Sequence, residues 1–278
     1  MSDAETELDA PTVRLAYFSI PAVDNSLSTN MCIVETSKPA LLVSYVYLKP
    51  FLKKQKQYSY RNWVLDSGAF SAHNSGIEIK LQDYIDCCKR LLDTDYTLKE
   101  VYSLDVIGDW KASLRNTEEM WRQGVPAIPC YHHGEPWDVL KGMAKDYPKI
   151  ALGGVAMKFG IKNKFAEQCF ARVWPKRMHG FGYGSEKSIM ALPWDSVDAT
   201  NWEIGPCKYG RWSQFGQLAV RGSNQNLRGE IDHYLKLEKR ARAKFGKLLK
   251  NIDGEHTTRL ALNAGTVQAR LDTCLTKK

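Results

Sequence analysis

From about residue 13 to residue 205, short apolar, β-rich runs alternate with stretches whose apolar residues recur every three or four positions. Few architectures accommodate that alternation. Parallel strands need a crossover long enough for a helix, so βα units close over a parallel sheet. The candidate strands are Leu15–Ile20, Ala40–Leu48, Asn62–Leu65, Val101–Leu104, Val125–Cys130, Lys149–Leu152, Met178–Phe181 and Ser196–Val197. Eight such strands predict an α/β fold, a (β/α)8 TIM-like barrel, and no internal repeat competes with it.

The length of 278 residues suits one large domain with an appendage. The division reads as a flexible N-terminus over 1–12, the barrel over 13–222, and a basic helical appendage and tail over 223–278. The clearest helix follows the third strand, where Leu81, Tyr84, Ile85, Cys88, Leu91 and Leu92 form one apolar stripe opposite a charged face. Asn116-Thr-Glu-Glu119 reads as a capping box before Met120 and Trp121, and Trp137, Leu140, Ala144 and Tyr147 form another stripe ahead of Pro148. In the appendage, Ile231, Tyr234, Leu235, Phe245, Leu248 and Leu249 share a face, while Lys236, Lys239, Arg240, Lys244 and Lys247 lie largely elsewhere. The last twenty or so residues read as a weakly ordered tail.

Composition narrows the functional classes. No apolar run reaches the roughly 18 residues of a membrane span, and the N-terminus MSDAETELDAPTVR is acidic and polar where a signal peptide is basic and then apolar. A cytoplasmic protein without a membrane partner is expected. The seven cysteines are odd in number and scattered, as reduced thiols are, and no CxxC or Cys/His cluster marks a metal site, so no metal or cofactor is expected. A net charge of +8 is compatible with a polyanionic partner, yet such a charge is also common on proteins that bind no nucleic acid.

The ends of the strands carry the chemistry. The third strand runs into Leu65-Asp66-Ser67-Gly68-Ala69-Phe70, the fourth into Leu104-Asp105, the fifth into Tyr131-His132-His133-Gly134, and the sixth into Gly153-Gly154. The seventh ends at Phe181-Gly182-Tyr183-Gly184 and the eighth at Asp198-Ala199-Thr200-Asn201-Trp202. In a parallel barrel all these ends open on one face, where catalytic groups from several strands converge. Three aspartates arriving together perturb one another, so that one is pushed toward the neutral acid while another stays a carboxylate. Asp86, Asp93, Asp95 and Asp109 read as surface or capping residues, and His179, His233 and His256 as structural ones.

The ordered series VLDSGAF, SLDVIGD, ALGGVA, HGFGYG and SVDATNW, over roughly residues 60 to 210, resembles the guanine transglycosylases, which exchange guanine in nucleic acid for a 7-deazaguanine. It is most similar to the DNA-directed branch found in phages and genomic islands. The resemblance implies that Asp66 is the general acid/base, that Phe70 stacks on the exchanged base, and that Phe181 packs on its other face. Ala69 stands where the family's DSGGF motif has glycine. Asp105 would accept from the ring N–H and amine of guanine, a paired acceptor for paired donors. Gly153 and Gly154 match a turn whose backbone approaches the base carbonyl, and His133 falls where many members carry glutamine.

For the nucleophile, alignment with the FDSAS pattern of archaeal-type members places Asp198, whereas the GVDMFDC pattern of bacterial members would place its attacking aspartate at Asn201. Asp198 is chosen because an asparagine is a poor oxygen nucleophile. The zinc cluster of the RNA-specific enzymes has no counterpart, since only Cys207 and Cys274 follow the last motif. The implied partners are DNA, presented as a flipped or single-stranded guanosine, and a free, preQ0-like 7-deazaguanine base. Lys208, Arg211, Arg221, Lys236, Lys239 and Arg240 form the candidate DNA-binding surface. The same chemistry on tRNA, a non-catalytic nucleic-acid-binding relative, and a barrel glycosidase acting on free saccharides are the alternatives; the oligomeric state is open.

Overall fold

The computed structural model describes residues 10–18, 27, 38–155, 160–213, 216–217 and 227–275, with side chains of the last helix described through residue 251. Eight parallel strands form one curled sheet: β1 (Thr12–Tyr17), β2 (Ala40–Ser44), β3 (Asn62–Asp66), β4 (Leu98–Val101), β5 (Cys130–His132), β6 (Lys149–Gly153), β7 (Arg177–Gly180) and β8 (Ser196–Ala199). Their spatial order, β4-β3-β2-β1-β8-β7-β6-β5, pairs the first strand with the last. The two outer strands are joined by a single parallel bridge, Tyr102 to Ile128. There the Ile128 N–H donates to the Val101 carbonyl and the Ser103 N–H to the Ile128 carbonyl, each at 2.9 Å. The result is an α/β, TIM-like fold.

Between the strands run α1 (Leu48–Lys54), α2 (Ala69–Asn74), α3 (Leu81–Thr94), α4 (Trp110–Arg122), α5 (Trp137–Asp146), α6 (Lys162–Val173) and α7 (Glu186–Ile189). Strand residues alternate between two apolar layers, as the two-residue period of a pleated strand requires. Trp63 and Leu65 belong to the large core under the helices, whereas Leu42, Val64, Tyr102, Ile128, Cys130 and Ala151 fill the barrel interior. Two residues beyond Val64, Cys130 and Ala151, the same inner face carries Asp66, His132 and Gly153.

At the strand starts the interior is charged and paired. Arg14 donates to the Asn62 side chain at 3.0 Å and lies 3.6 Å from Glu100; Lys149 meets Glu100 at 2.7 Å and also contacts Asp195, which Arg177 holds at 2.9 Å. Buried charges are tolerated when each finds an opposite partner, and at this end of the barrel each does, with Arg14 Nε left without a hydrogen bond.

Several boundaries differ from the sequence reading. β2 stops at Ser44 and the chain turns through Tyr45–Tyr47 into α1, because the turn after β3 fills the space ahead: a Cβ on Gly68 would lie 2.4 Å from the Ser44 hydroxyl. β4 begins earlier, at Leu98, with Glu100 serving the charged layer. The β5 ladder begins only at Cys130, since Pro126 and Pro129 lack the N–H that a strand must donate. The expected capping box is mid-helix. α4 starts at Trp110 with Asp109 accepting from the Ala112 N–H at 3.0 Å, and Asn116 instead donates to the Leu104 carbonyl at 2.9 Å.

After β8 come α8 (Asn201–Ile204), a wide turn over Gly205–Tyr209, and the antiparallel pair β9 (Arg211–Trp212) and β10 (Gly216–Gln217). The last helix, α9 (Arg228–Leu275), continues through the stretch expected to be a tail. It docks on the start of β1 through buried Ile231, Tyr234, Leu237, Ala241, Phe245 and Leu249, while Leu248 faces solvent. Glu238 fixes it there, accepting from the Val13 N–H at 2.8 Å and pairing with Arg61 at 2.7 Å. Among the described residues no helix is long and apolar enough to cross a membrane.

Candidate active site

Asp66 is the last residue of β3. Gly68 follows in the left-handed region, at φ 74°, and this bend returns its N–H to the Asp66 carboxylate at 3.1 Å. α2 begins at Ala69 and leaves the Phe70 ring 56% exposed. Burial, then the charge of Asp105, push Asp66 up to about 7; the Gly68 N–H opposes that rise and the charge of Asp198 adds to it. Asp66 is therefore poised between acid and carboxylate at neutral pH.

Asp198 projects from the inner face of β8 and is buried. Its Oδ1 accepts from the Gly182 N–H at 2.6 Å, and His179 Nε2 stands 3.8 Å away. Burial raises Asp198 to about 6, against the pull of the Gly182 N–H and of Lys162. His179 is held well below its ordinary value by burial and by the nearby charges of Lys149 and Arg14, so it faces Asp198 as a neutral ring.

Asp105 follows β4 and meets His132 at the end of β5. His132 Nε2 lies 3.2 Å from Asp105 Oδ2, and His132 Nδ1 lies 2.8 Å from Glu135 Oε1. Burial alone would pull His132 down, but its polar neighbours outweigh burial and hold it well above the ordinary value. The upward pull on His132 comes first from Cys130 and then from Asp105 and Glu135, while burial pushes the Cys130 thiol itself up to about 12. One oxygen of each carboxylate, Asp105 Oδ1 and Glu135 Oε2, is buried without a hydrogen-bond partner. Such an oxygen is costly to leave unpaired and can accept from a bound donor.

The glycine pair closes that side. A Cβ on Gly153 would lie 2.8 Å from Cys130 Sγ, and one on Gly154 would lie 2.9 Å from both His132 Cβ and the His133 backbone nitrogen. Both glycines let the end of β6 press against the end of β5. His133 is not brought to the carboxylates: its ring packs edge-on against Phe165 at 5.2 Å, and strand alternation gives the inner position to His132. Phe181 is half-buried over the interior, 4.9 Å from the Tyr102 ring and 4.7 Å from that of His179.

Of the basic candidates, Lys208, Arg211, Lys236 and Lys239 are exposed, Arg240 is engaged by Glu186 at 2.6 Å, and Arg221 lies outside the described residues. Among the described residues, Asp105, Cys130 and His132 have ligand atoms within 4.8 Å of one another, close enough for a metal ion. A cation bound there would displace the His132 proton and the thiol proton, so its binding would strengthen as pH rises. A cleft of about 250 Å3 lies beside Asp105, between Ala69, His73, Ile79 and Asn116. A larger one, of about 550 Å3, lies between α1 and α3 and contains none of the strand-end aspartates.

His132, Glu135, Lys162 and His179 are the site residues that sequence reasoning missed. For His132 and His179 the signal was present, since both fall in phase with inward-facing neighbours on their strands; Glu135 and Lys162 sit on connections, where no periodicity marks them.

Together these features define an α/β barrel whose strand ends converge on an acidic, partly dry mouth. No family model matches the chain, and no curated protein matches it. Among solved structures, a "putative fructose-1,6-biphosphate aldolase" from Coccidioides immitis is similar at a TM-score of 0.47 and 9% identity, over 86% of this chain and 90% of that one. A likeness of that degree says nothing of substrate or reaction.

Proposed function

We propose that the protein is a DNA-guanine transglycosylase that exchanges guanine for a free 7-deazaguanine by double displacement at the sugar C1′. The observation that carries this reading is the pair of strand-end aspartates, buried Asp198 raised to about 6 and half-buried Asp66 raised to about 7, beside an Asp105 with one unpaired oxygen. Burial raises both, and the charge of Asp105 adds to the rise at Asp66, which biases Asp66 toward the acid and Asp198 toward the carboxylate, the division that a general acid and a nucleophile need.

In the first half-reaction Asp198 forms a bond to C1′ as the C1′–N9 bond breaks. The electron pair leaves with N9, and Asp66 supplies the proton that makes the departing guanine neutral. In the second, Asp66 removes the N9 proton of the incoming base, whose N9 attacks C1′ and releases Asp198 as a carboxylate. Two inversions preserve the anomeric configuration, as in retaining glycosidases. Asp105 Oδ1 accepts from the base edge, while Phe70 and Phe181 supply apolar surface that offsets the stacking lost when the nucleotide leaves the duplex. Lys208, Arg211, Lys236 and Lys239 are the candidates for the phosphate backbone.

The test is exchange of radiolabelled guanine into DNA and into bulk tRNA by the protein and its Asp198→Ala variant. Label in DNA that depends on Asp198 is expected. Label in tRNA alone would move the protein to the RNA-directed chemistry, and label in neither would make it a binder without turnover.

A further inference from the structure

Lys162, the first residue of α6, is a half-buried cation that the reaction scheme above does not use. Its backbone carbonyl accepts from the Tyr183 hydroxyl at 3.0 Å, and its ammonium lies 4.9 Å from the centre of the Tyr183 ring. The same ammonium donates to the Gly182 carbonyl. Gly182 adopts the left-handed conformation, at φ 72°, and its N–H goes to Asp198 Oδ1 at 2.6 Å. Ammonium and carboxylate are thus tied to the two polar groups of one residue, in a backbone conformation that favours glycine.

Among the described residues, the other groups acting on Asp198 supply no compensating charge. His179 on β7 is neutral; Asp66 on β3 is a second acid; and Tyr234 on α9 is raised by burial first, with Asp198 adding to the rise. Among the described residues Lys162 is the cation whose charge favours the ionised form of Asp198. Holding it there works against its own desolvation. A solvated surface position would avoid that cost.

We propose that Lys162 is a positioning residue that pins the Gly182 turn against Asp198 and keeps that carboxylate ionised in its dry pocket. The inference rests on the transglycosylase reading only for the use to which the charge is put. When Asp198 becomes an ester it loses its charge, and Lys162 then favours departure of the carboxylate in the second half-reaction, because the released anion regains its cation.

The experiment uses the full chain labelled with 13C at aspartate carboxyls, with the Asp198 signal assigned by Asp198→Asn. Its titration is followed in wild type, Lys162→Met, Lys162→Gln and Lys162→Arg, alongside the pH profile of guanine exchange. Lys162→Met and Lys162→Gln are expected to move the Asp198 midpoint upward by about one pH unit, and Lys162→Arg to restore it. A one-unit shift is about a tenfold loss of exchange at the acid end of the profile, narrowing as pH rises but not closing, because the second half-reaction also lacks its cation. Lys162→Gln can still donate to Gly182, so it separates charge from hydrogen bond and carries the test if the methionine variant does not fold. A midpoint unmoved in both neutral variants overturns the proposal, whether or not the chain exchanges guanine. A moved midpoint in a chain that exchanges no base supports the role of Lys162 and removes the transglycosylase reading.

Discussion

The two ends of this barrel bury charge in opposite ways. At the strand starts, Arg14, Lys149 and Arg177 interleave with Glu100 and Asp195 in a closed network of ion pairs. At the strand ends, Asp66, Asp105 and Asp198 converge with Glu135, with His132 and Lys162 as the nearby cations among the described residues, and carboxylate oxygens are left without partners. The first arrangement sets each of these charges against an opposite one within the protein, with Arg14 Nε left over. The second leaves part of that satisfaction to something that binds, which is how a folded chain holds interaction energy in reserve for a ligand.

The contrast breaks most clearly at Asp66. Asp66→Asn keeps the shape but cannot move a proton, so guanine exchange should fall by roughly 10²–10⁴-fold, measured as single-turnover release of labelled base. At the other end, Asp195→Ala leaves Lys149 and Arg177 buried short of a partner, and should lower stability by about 3–5 kcal/mol in urea denaturation. An unchanged midpoint would mean that the lower network is not closed as described.

The same Asp66→Asn substitution should act oppositely on stability. The folded state binds the Asp66 proton more tightly than the unfolded state, so stability present below about pH 4 is lost as pH rises through about 7. The asparagine variant escapes that loss. It should be more stable than wild type by up to about 4 kcal/mol at pH 8 and equal to it at pH 4, by denaturant titration at both pH values. Smallest of these effects, His132→Gln removes the imidazolium between Asp105 and Glu135. The KM for free guanine should rise by roughly 10–100-fold with kcat less affected, the range of a charged hydrogen bond; an unchanged KM would place base recognition elsewhere.

Much of the scaffold was legible because barrel strands advertise themselves as short apolar runs, and each predicted run overlaps or abuts an observed strand. The departures have local causes. Glu100 lies inside the barrel, so its charge disguised the start of β4, and two prolines disguised the start of β5. The convergence of Asp66, Asp105 and Asp198 was legible from topology alone, since parallel strands must end on one face. The choice between His132 and His133 turned on the phase of a three-residue strand, which Cys130 on the inner face settles. Lys162 and Glu135 were invisible because their positions depend on how connections fold back over the mouth.

The single bridge between Tyr102 and Ile128 gives the barrel a seam, and the pair formed by Asp105 and His132 straddles it, one residue beyond β4 and the other on β5. The contact that would sense a ligand is therefore also a clasp across the thinnest joint in the sheet. On the proposed reading, a base that drew on Asp105 would bear on the barrel wall as well as on the site, since the carboxylate it shares with His132 also spans that joint.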